Sequence, residues 1–246
     1  MTLNRNSPEG WDGPFVLNYK QIPYKTVWVS YGDIEPLLKS LGFQPSSVSR
    51  TSGKEFFTLP VISDPSPEPG GEPTLVVDSQ VIAAYLESKY PQRPLLPEGT
   101  KAFQAMFLKW TQTNLLPHFI QLVVPQVGAI LDDPGAEYFT RTREKQFGKK
   151  LTDVCLGEER ATSLAALEKE LATLDAQISR NGEGDFLMGT TPSYADILLC
   201  SFFMWAKRVP TTRDPGFESV FEIIKGWHGG RWERLHTWSQ QFTEQK

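Results

Sequence analysis

Every strand-like stretch in this chain lies in its first third. Beyond Pro97 no segment alternates apolar and polar residues, and the patterning that remains has helical spacing. Pro91, Pro94 and Pro97 stand at the division, where neither a helix nor a central strand could continue. A chain ordered in this way folds as a mixed α/β unit followed by an all-α unit. We expect one domain over residues 1–92 and a helical one over 98–246, with the prolines as the linker.

In the first part, Met1-Thr2-Leu3-Asn4 reads as a very short strand ahead of polar Arg5-Asn6. Ser7-Pro8-Glu9 has the form of a helix start, with Ser as cap and Pro in the first turn. Gly10, Gly13 and Pro14 oppose regular helix immediately afterwards, so helix is expected over 14–20. Residues 24–29 read as a strand, with Val27 and Val29 alternating with Thr26 and Trp28. Ile34, Leu37, Leu38 and Leu41 form one side of a short helix that Gly42 would close. The Ser-rich stretch 43–53 reads as loop. Leu59-Pro60-Val61-Ile62 and Thr74-Leu75-Val76-Val77 flank a Pro- and Gly-rich turn, as in a hairpin. Asp78-Ser79 then caps a helix from about residue 80. The order strand, helix, strand, helix, hairpin, helix predicts a parallel pair joined to an antiparallel pair, with helices over the sheet.

In the second part, Phe103, Met106, Phe107 and Trp110 recur at i, i+3, i+4 and i+7. Pro117 and Pro125 interrupt the apolar face that follows, and residues 132–135 read as a turn. Residues 137–150 form a charged helix, with Tyr138, Phe139 and Phe147 expected inward. Leu164, Leu167, Leu171, Leu174 and Ile178 mark a long bundle helix. Ser193 and Asp196 have capping-box spacing, and the almost wholly apolar run 197–205 behind them belongs at the centre of a core. Helices over 218–227 and 231–242 complete an expected set of five to seven.

Composition narrows the function. With 25 Lys and Arg against 29 Asp and Glu, the chain has no basic excess of the kind nucleic acid demands. No apolar run approaches the ~20 residues that span a bilayer, and Met1 to Gly10 has no apolar signal core. A soluble cytoplasmic protein is expected. His118, His228 and His236 have no metal-ligand spacing, and Cys155 and Cys200 form neither a CxxC nor a disulfide framework. Phosphate-binding glycine motifs and the G-x-S-x-G elbow are both missing, although composition leaves a Ser-His-Asp triad open. Two candidates remain. The Ser79 hydroxyl and the helix N-terminus beside it could hold a carboxylate, or Ser79 could simply cap its own helix. A cis bond before Pro60 would present the Leu59 backbone to a peptide-like ligand, or Pro60 could be an ordinary edge-strand proline.

Leu59-Pro60-Val61-Ile62, then Asp78-Ser79 before a helix, then a helical domain with Ser193-x-x-Asp196, together resemble the cytosolic glutathione transferases over nearly the whole chain. Ser7-Pro8, the FVLNYK stretch at 15–20, Pro23-Tyr24-Lys25-Thr26, the stretch 138–148 and Gly229-Gly230-Arg231-Trp232 are similar to the fungal class related to bacterial etherases. That resemblance implies a thioredoxin-like first domain and a transferase helical bundle. It implies homodimers of the serine type that act on or carry aromatic xenobiotics and wood extractives.

Carried over by position, Pro60 matches the cis-proline, and Leu59 the residue whose backbone pairs with the cysteinyl part of glutathione. Ser79, with Asp78 beside it, matches the serine on the γ-glutamyl carboxylate, and Lys54 the basic residue on the glycyl carboxylate. Ser7 matches the serine that hydrogen-bonds the glutathione sulfur and favours thiolate. Relatives have a longer first strand and an Asn-Thr-Trp-Lys-Thr-Arg-like stretch after Ser-Pro, where this chain has Glu9-Gly10-Trp11-Asp12-Gly13-Pro14. Trp110, Phe119, Tyr138 and Trp205 are candidate walls for an apolar second substrate, and Arg143 could touch a ligand or, with Glu144, belong to a solvated face of a charged helix. Each of these aromatics also fits an ordinary core position. The expected activity is glutathione transfer to an aromatic or electrophilic small molecule. The alternative is a weakly catalytic or non-catalytic carrier of polyphenols and other apolar aromatics. A disulfide-reductase role is disfavoured because no cysteine lies near residue 7.

Overall fold

Val61 and Ile62 are adjacent and both buried, which sets the architecture of the first part: neighbouring strand residues face opposite ways, so this sheet is covered on both faces. The structure is a computed structural model, and residues 2–3, 9–48 and 53–243 are described. In chain order the first part contains β1 (Thr2–Leu3), α1 (Glu9–Lys20), β2 (Val27–Trp28), α2 (Ile34–Ser40), β3 (Ser47–Val48), β4 (Glu55–Phe56), β5 (Val61–Asp64), β6 (Thr74–Val77) and α3 (Ser79–Lys89). The main sheet has the order β2-β1-β5-β6. β1 pairs with β2 in parallel, Thr2 opposite Val27, and β5 pairs with β6 antiparallel, Val61 opposite Val77. This is the expected parallel pair joined to a hairpin. On one face Val61 and Leu59 pack with Ile34, Leu38 and Phe43 beneath α2. On the other, Ile62 and Val76 join α1 and α3.

In this first part, local expectations changed in three places. α1 starts at Glu9 and runs through Pro14, because burial of Phe15, Val16 and Leu17 against α3 and α8 (Tyr194–Arg208) outweighs the helix breakers. β2 is only two residues long and both are exposed, since it is an edge strand with one partner. Part of the expected loop over 43–53 is instead a strand, because β3 and β4 pair antiparallel in a small second sheet.

The remainder is helical. α4 (Lys101–Asn114) and α5 (Leu116–Val123) meet at the Pro117 interruption, and Pro125 lies in a 3-10 segment, Val124–Ile130. α6 (Asp133–Phe147) begins within the expected turn, with Pro134 in its first turn, and Gly148 ends it at φ 69. α7 (Gly157–Ile178), α8, α9 (Val220–Ile224) and α10 (Arg231–Gln240) follow. α9 and α10 are shorter than their sequence patterns suggested. α8 is buried nearly all round, as its composition required. The Asp196 carboxylate accepts the N–H groups of Ser193 and Leu187, both at 2.8 Å, and the Ser193 hydroxyl at 2.9 Å.

The prolines of the linker are held by a buried ion pair. Lys20 Nζ lies 2.7 Å from Glu87 and donates to the carbonyls of Gln92 and Arg93. Glu87 in turn accepts the N–H groups of Leu95 and Leu96. One continuous core passes from α1 and α3 into the bundle through Leu95. Among the described residues, no helix is long and apolar enough to cross a membrane.

Candidate functional site

A cleft of about 990 Å³ opens between the two parts of the molecule. Its first wall is built by the end of the β4–β5 connection and the start of α3. Asp78 caps α3: its carboxylate accepts the N–H of Gln80 at 2.9 Å and of Val81 at 3.2 Å, and its carbonyl accepts that of Ile82. To do so it adopts φ 77 and ψ 129, a conformation that side chains rarely take. The cap thus comes from Asp78, and Ser79 is released from that duty. The N–H and hydroxyl of Ser79 have no hydrogen-bond partner among the described residues. Two donors on one residue at a helix N-terminus suit a carboxylate.

The Leu59–Pro60 peptide bond is cis. Both side chains are buried, and Leu59 lines the cleft. Its N–H and C=O are unpaired among the described residues, so this stretch can add hydrogen bonds to an extended ligand. Lys54 is at the same wall, its Nζ 5.4 Å from the Phe56 ring centroid.

The second wall belongs to the helical part. Tyr138, Arg141, Thr142 and Lys145 follow the i, i+3, i+4, i+7 stripe of α6 and all line the cleft. Phe139, on the inner side of the helix, is buried with its ring 5.1 Å from that of Tyr31. The Ser30 hydroxyl donates to Asp132 at 3.1 Å, and a side chain at Gly135 would meet the Asp132 carboxylate at 2.3 Å. α6 is therefore seated directly on the loop preceding α2, which holds the two walls in register. Between them, Leu116, Leu198 and Phe202 supply apolar floor. Glu35 also lines the cleft, and its hydrogen bond from Lys39, at 2.8 Å, holds its carboxyl below the usual range.

Of the residues proposed from sequence, Lys54, Leu59, Asp78, Ser79 and Tyr138 come together here, as does Arg143. Pro60 sits directly behind Leu59 and is buried. Tyr138 was expected inward but is exposed to the cleft. Phe119 and Trp205 do not wall the cavity: they pack against each other in the core, with ring centroids 6.5 Å apart and Phe119 without exposed surface. Trp110 stacks on Phe107 at 5.7 Å and lines a separate groove of about 360 Å³ beside α7. In each case helical spacing reported burial or a groove and not the cleft. Ser7 lies outside the described residues. Sequence reading missed Tyr31, Arg141, Thr142 and Phe202. The polar stripe on α6 looks like any solvated helix face, and nothing local marks it as facing a cavity. Among the described residues no group of three or more His, Cys, Asp or Glu could hold a metal.

The family profile for glutathione S-transferase N-terminal domains matches residues 5–94, and that for glutathione S-transferase C-terminal domains matches 102–242. The chain is 31% identical to the glutathione S-transferase-like protein ustS of Aspergillus flavus, over 94% of this chain and 84% of that protein. Glutathione transferase GSTFuA2 from Phanerochaete chrysosporium superposes with a TM-score of 0.84 at 36% identity, covering 97% of this chain and 91% of the other. A Ceriporiopsis subvermispora glutathione S-transferase solved in complex with glutathione superposes with a TM-score of 0.86 at 30% identity, again covering 97% and 91%. The two profiles, the whole-chain likeness and the α/β-plus-helical architecture agree, and this chain belongs to the fungal branch of the glutathione transferase superfamily.

Proposed function

We propose that this protein is a serine-type glutathione transferase that joins the glutathione thiolate to aromatic or other electrophilic small molecules. Residues 1–92 form its glutathione-binding domain and residues 98–246 its helical domain, and it works as a homodimer. One observation carries the reading: two donors on Ser79 and two backbone groups on Leu59, unpaired among the described residues, share a single cleft. A γ-glutamyl carboxylate meets the first pair, and the cysteinyl backbone of the same tripeptide meets the second. Lys54 takes the glycyl carboxylate. The cis Leu59–Pro60 bond and the glutathione complex of the Ceriporiopsis relative support this assignment.

Ser7 donates its hydroxyl hydrogen to the sulfur and favours the charged form, so the thiol ionises near neutral pH. The thiol proton passes to solvent. The sulfur attacks the electron-poor carbon, a carbon–sulfur bond forms, and the leaving group departs with its electron pair. Leu116, Leu198, Phe202 and Tyr138 hold the aromatic ring against the thiolate.

The test is calorimetric titration with glutathione alongside conjugation of a chlorodinitrobenzene. We expect saturable binding and turnover, with turnover reduced about 100-fold in Ser7→Ala. Binding without turnover would make the protein a carrier of polyphenols and other apolar aromatics. Neither binding nor turnover would remove glutathione from its function. An unchanged rate and thiol pKa in Ser7→Ala would remove Ser7 from the mechanism.

A further inference from the structure

We infer that the second substrate of this cleft carries an anionic group, a carboxylate or sulfonate on an aromatic ring, and that Arg143 and Arg141 of α6 select it. The inference rests on the transferase reading above and names the class of acceptor. The guanidinium of Arg143 lies 4.9 Å from the Phe139 ring centroid, and that of Arg141 lies 5.6 Å from the Tyr138 ring centroid. Such cation–π contact steadies each guanidinium over its ring and leaves N–H groups available for recognition of an oxyanion. Both line the cleft, and neither has a carboxylate partner among the described residues. Four other arginines of the helical part are committed: Arg160 to Asp214, Arg231 to Asp175 and Asp185, Arg234 to Asp185, and Arg213 to the Leu151 and Val154 carbonyls.

The acids of the cleft do not neutralise α6. Glu35 is bound to Lys39 and Asp78 to the N-terminus of α3, while Glu55 adjoins Lys54 in the chain. Glutathione has two carboxylates, and Ser79 and Lys54 on the opposite wall serve them. The α6 cations are thus left for the acceptor. Tyr138, with the Arg141 guanidinium over its ring, lines the same cleft and offers that ring to the same molecule.

A chlorodinitrobenzoate carries this charge and its methyl ester does not; because the ester also activates the ring more strongly, each rate is divided by the uncatalysed rate of the same compound with glutathione. In both, the glutathione sulfur displaces chloride, which leaves with the bonding electrons. The readout is the ratio of kcat/KM for acid to ester, with binding of each compound measured separately by calorimetry. We expect the native protein to prefer the acid. Arg143→Gln should lower the ratio about tenfold, Arg141→Gln with Arg143→Gln further, and Arg143→Lys should restore part of it. Raising the salt concentration should lower the native ratio as well. If acid and ester are treated alike, or the ratio is unchanged in the variants, the inference is overturned while transfer stands. If Arg143→Gln weakens glutathione itself by the same factor, the arginine serves the tripeptide and the inference is again overturned. If neither compound reacts yet the acid binds in an Arg143-dependent manner, the anion site stands and the transfer reading falls.

Discussion

Asp196 shows how a single side chain can serve the fold at some expense to stability at neutral pH. It is fully buried, and loss of hydration raises its pKa to about 6, although N–H donors from Leu187 and Ser193 act in the opposite direction. Between about pH 4 and 6 the unfolded chain has released this proton while the folded chain keeps it. Stability from this residue is therefore complete below that window and falls as pH rises through it, by about 3 kcal/mol in all. Asp196→Asn should be most destabilising near pH 4, and its penalty should shrink by about that amount toward pH 7 in urea titrations. A penalty independent of pH would contradict the assignment. His236 works with the opposite sign: burial holds its pKa down to about 4, so it adds stability as pH rises from about 4 to 6.5. His236→Gln should remove that slope and separate the two groups. At the site, Ser79→Ala should weaken glutathione about tenfold by calorimetry, as expected for one hydrogen bond to a charged oxygen. Unaltered affinity would move the carboxylate elsewhere.

At the level of elements, α3 and α6 stand on opposite walls of the cleft, and each depends on one residue at its start. α3 is started by Asp78, which combines a capping side chain with a positive φ. Asp78→Ala removes the cap and retains the strained backbone, and should cost about 1–2 kcal/mol. Asp78→Gly relieves the backbone while losing the cap, so it should cost clearly less. Equal losses in thermal unfolding would show that φ is not part of the cost. α6 meets the first domain so closely that a side chain at Gly135 would come within 3.0 Å of the Ser30 hydroxyl, besides striking the Asp132 carboxylate at the start of α6 itself. Its polar stripe then faces the cleft as a consequence of where its apolar side, Phe139, is anchored on Tyr31. The helix breakers before Phe15 suggested a weak start to α1, yet its buried apolar face carries the helix through Pro14.

For the whole molecule, the relation between sheet and bundle is fixed by a shared core and by the Lys20–Glu87 clasp on the linker. The Lys20 side chain is wholly buried, with Glu87 14% exposed. Replacing Lys20 with Met leaves a nearly buried carboxylate and two linker carbonyls without their cation. We expect a loss of about 3–5 kcal/mol in denaturant unfolding, with Lys20→Arg retaining part of it. A loss below about 1 kcal/mol would mean that apolar packing around the buried Leu95 holds the linker unaided.

The sequence by itself determined the succession of an α/β part by an all-α part, the order of elements about the main sheet, the hairpin, the centrality of α8 and its capping box. Those features rest on local chemistry: side-chain period, proline's missing N–H, and short polar side chains at helix starts. It also brought Leu59 and Ser79 forward as one cradle through family resemblance, although about 20 residues separate them along the chain. Only the tertiary structure decided which aromatic residues meet the cleft. Phe119 and Trp205 share their helical spacing with residues that do line it, and differ solely in what another element lays over them. The α6 stripe makes the same point from the polar side. Periodicity tells which face of a helix is buried, whereas the neighbour opposite its other face is set by contacts distant in sequence.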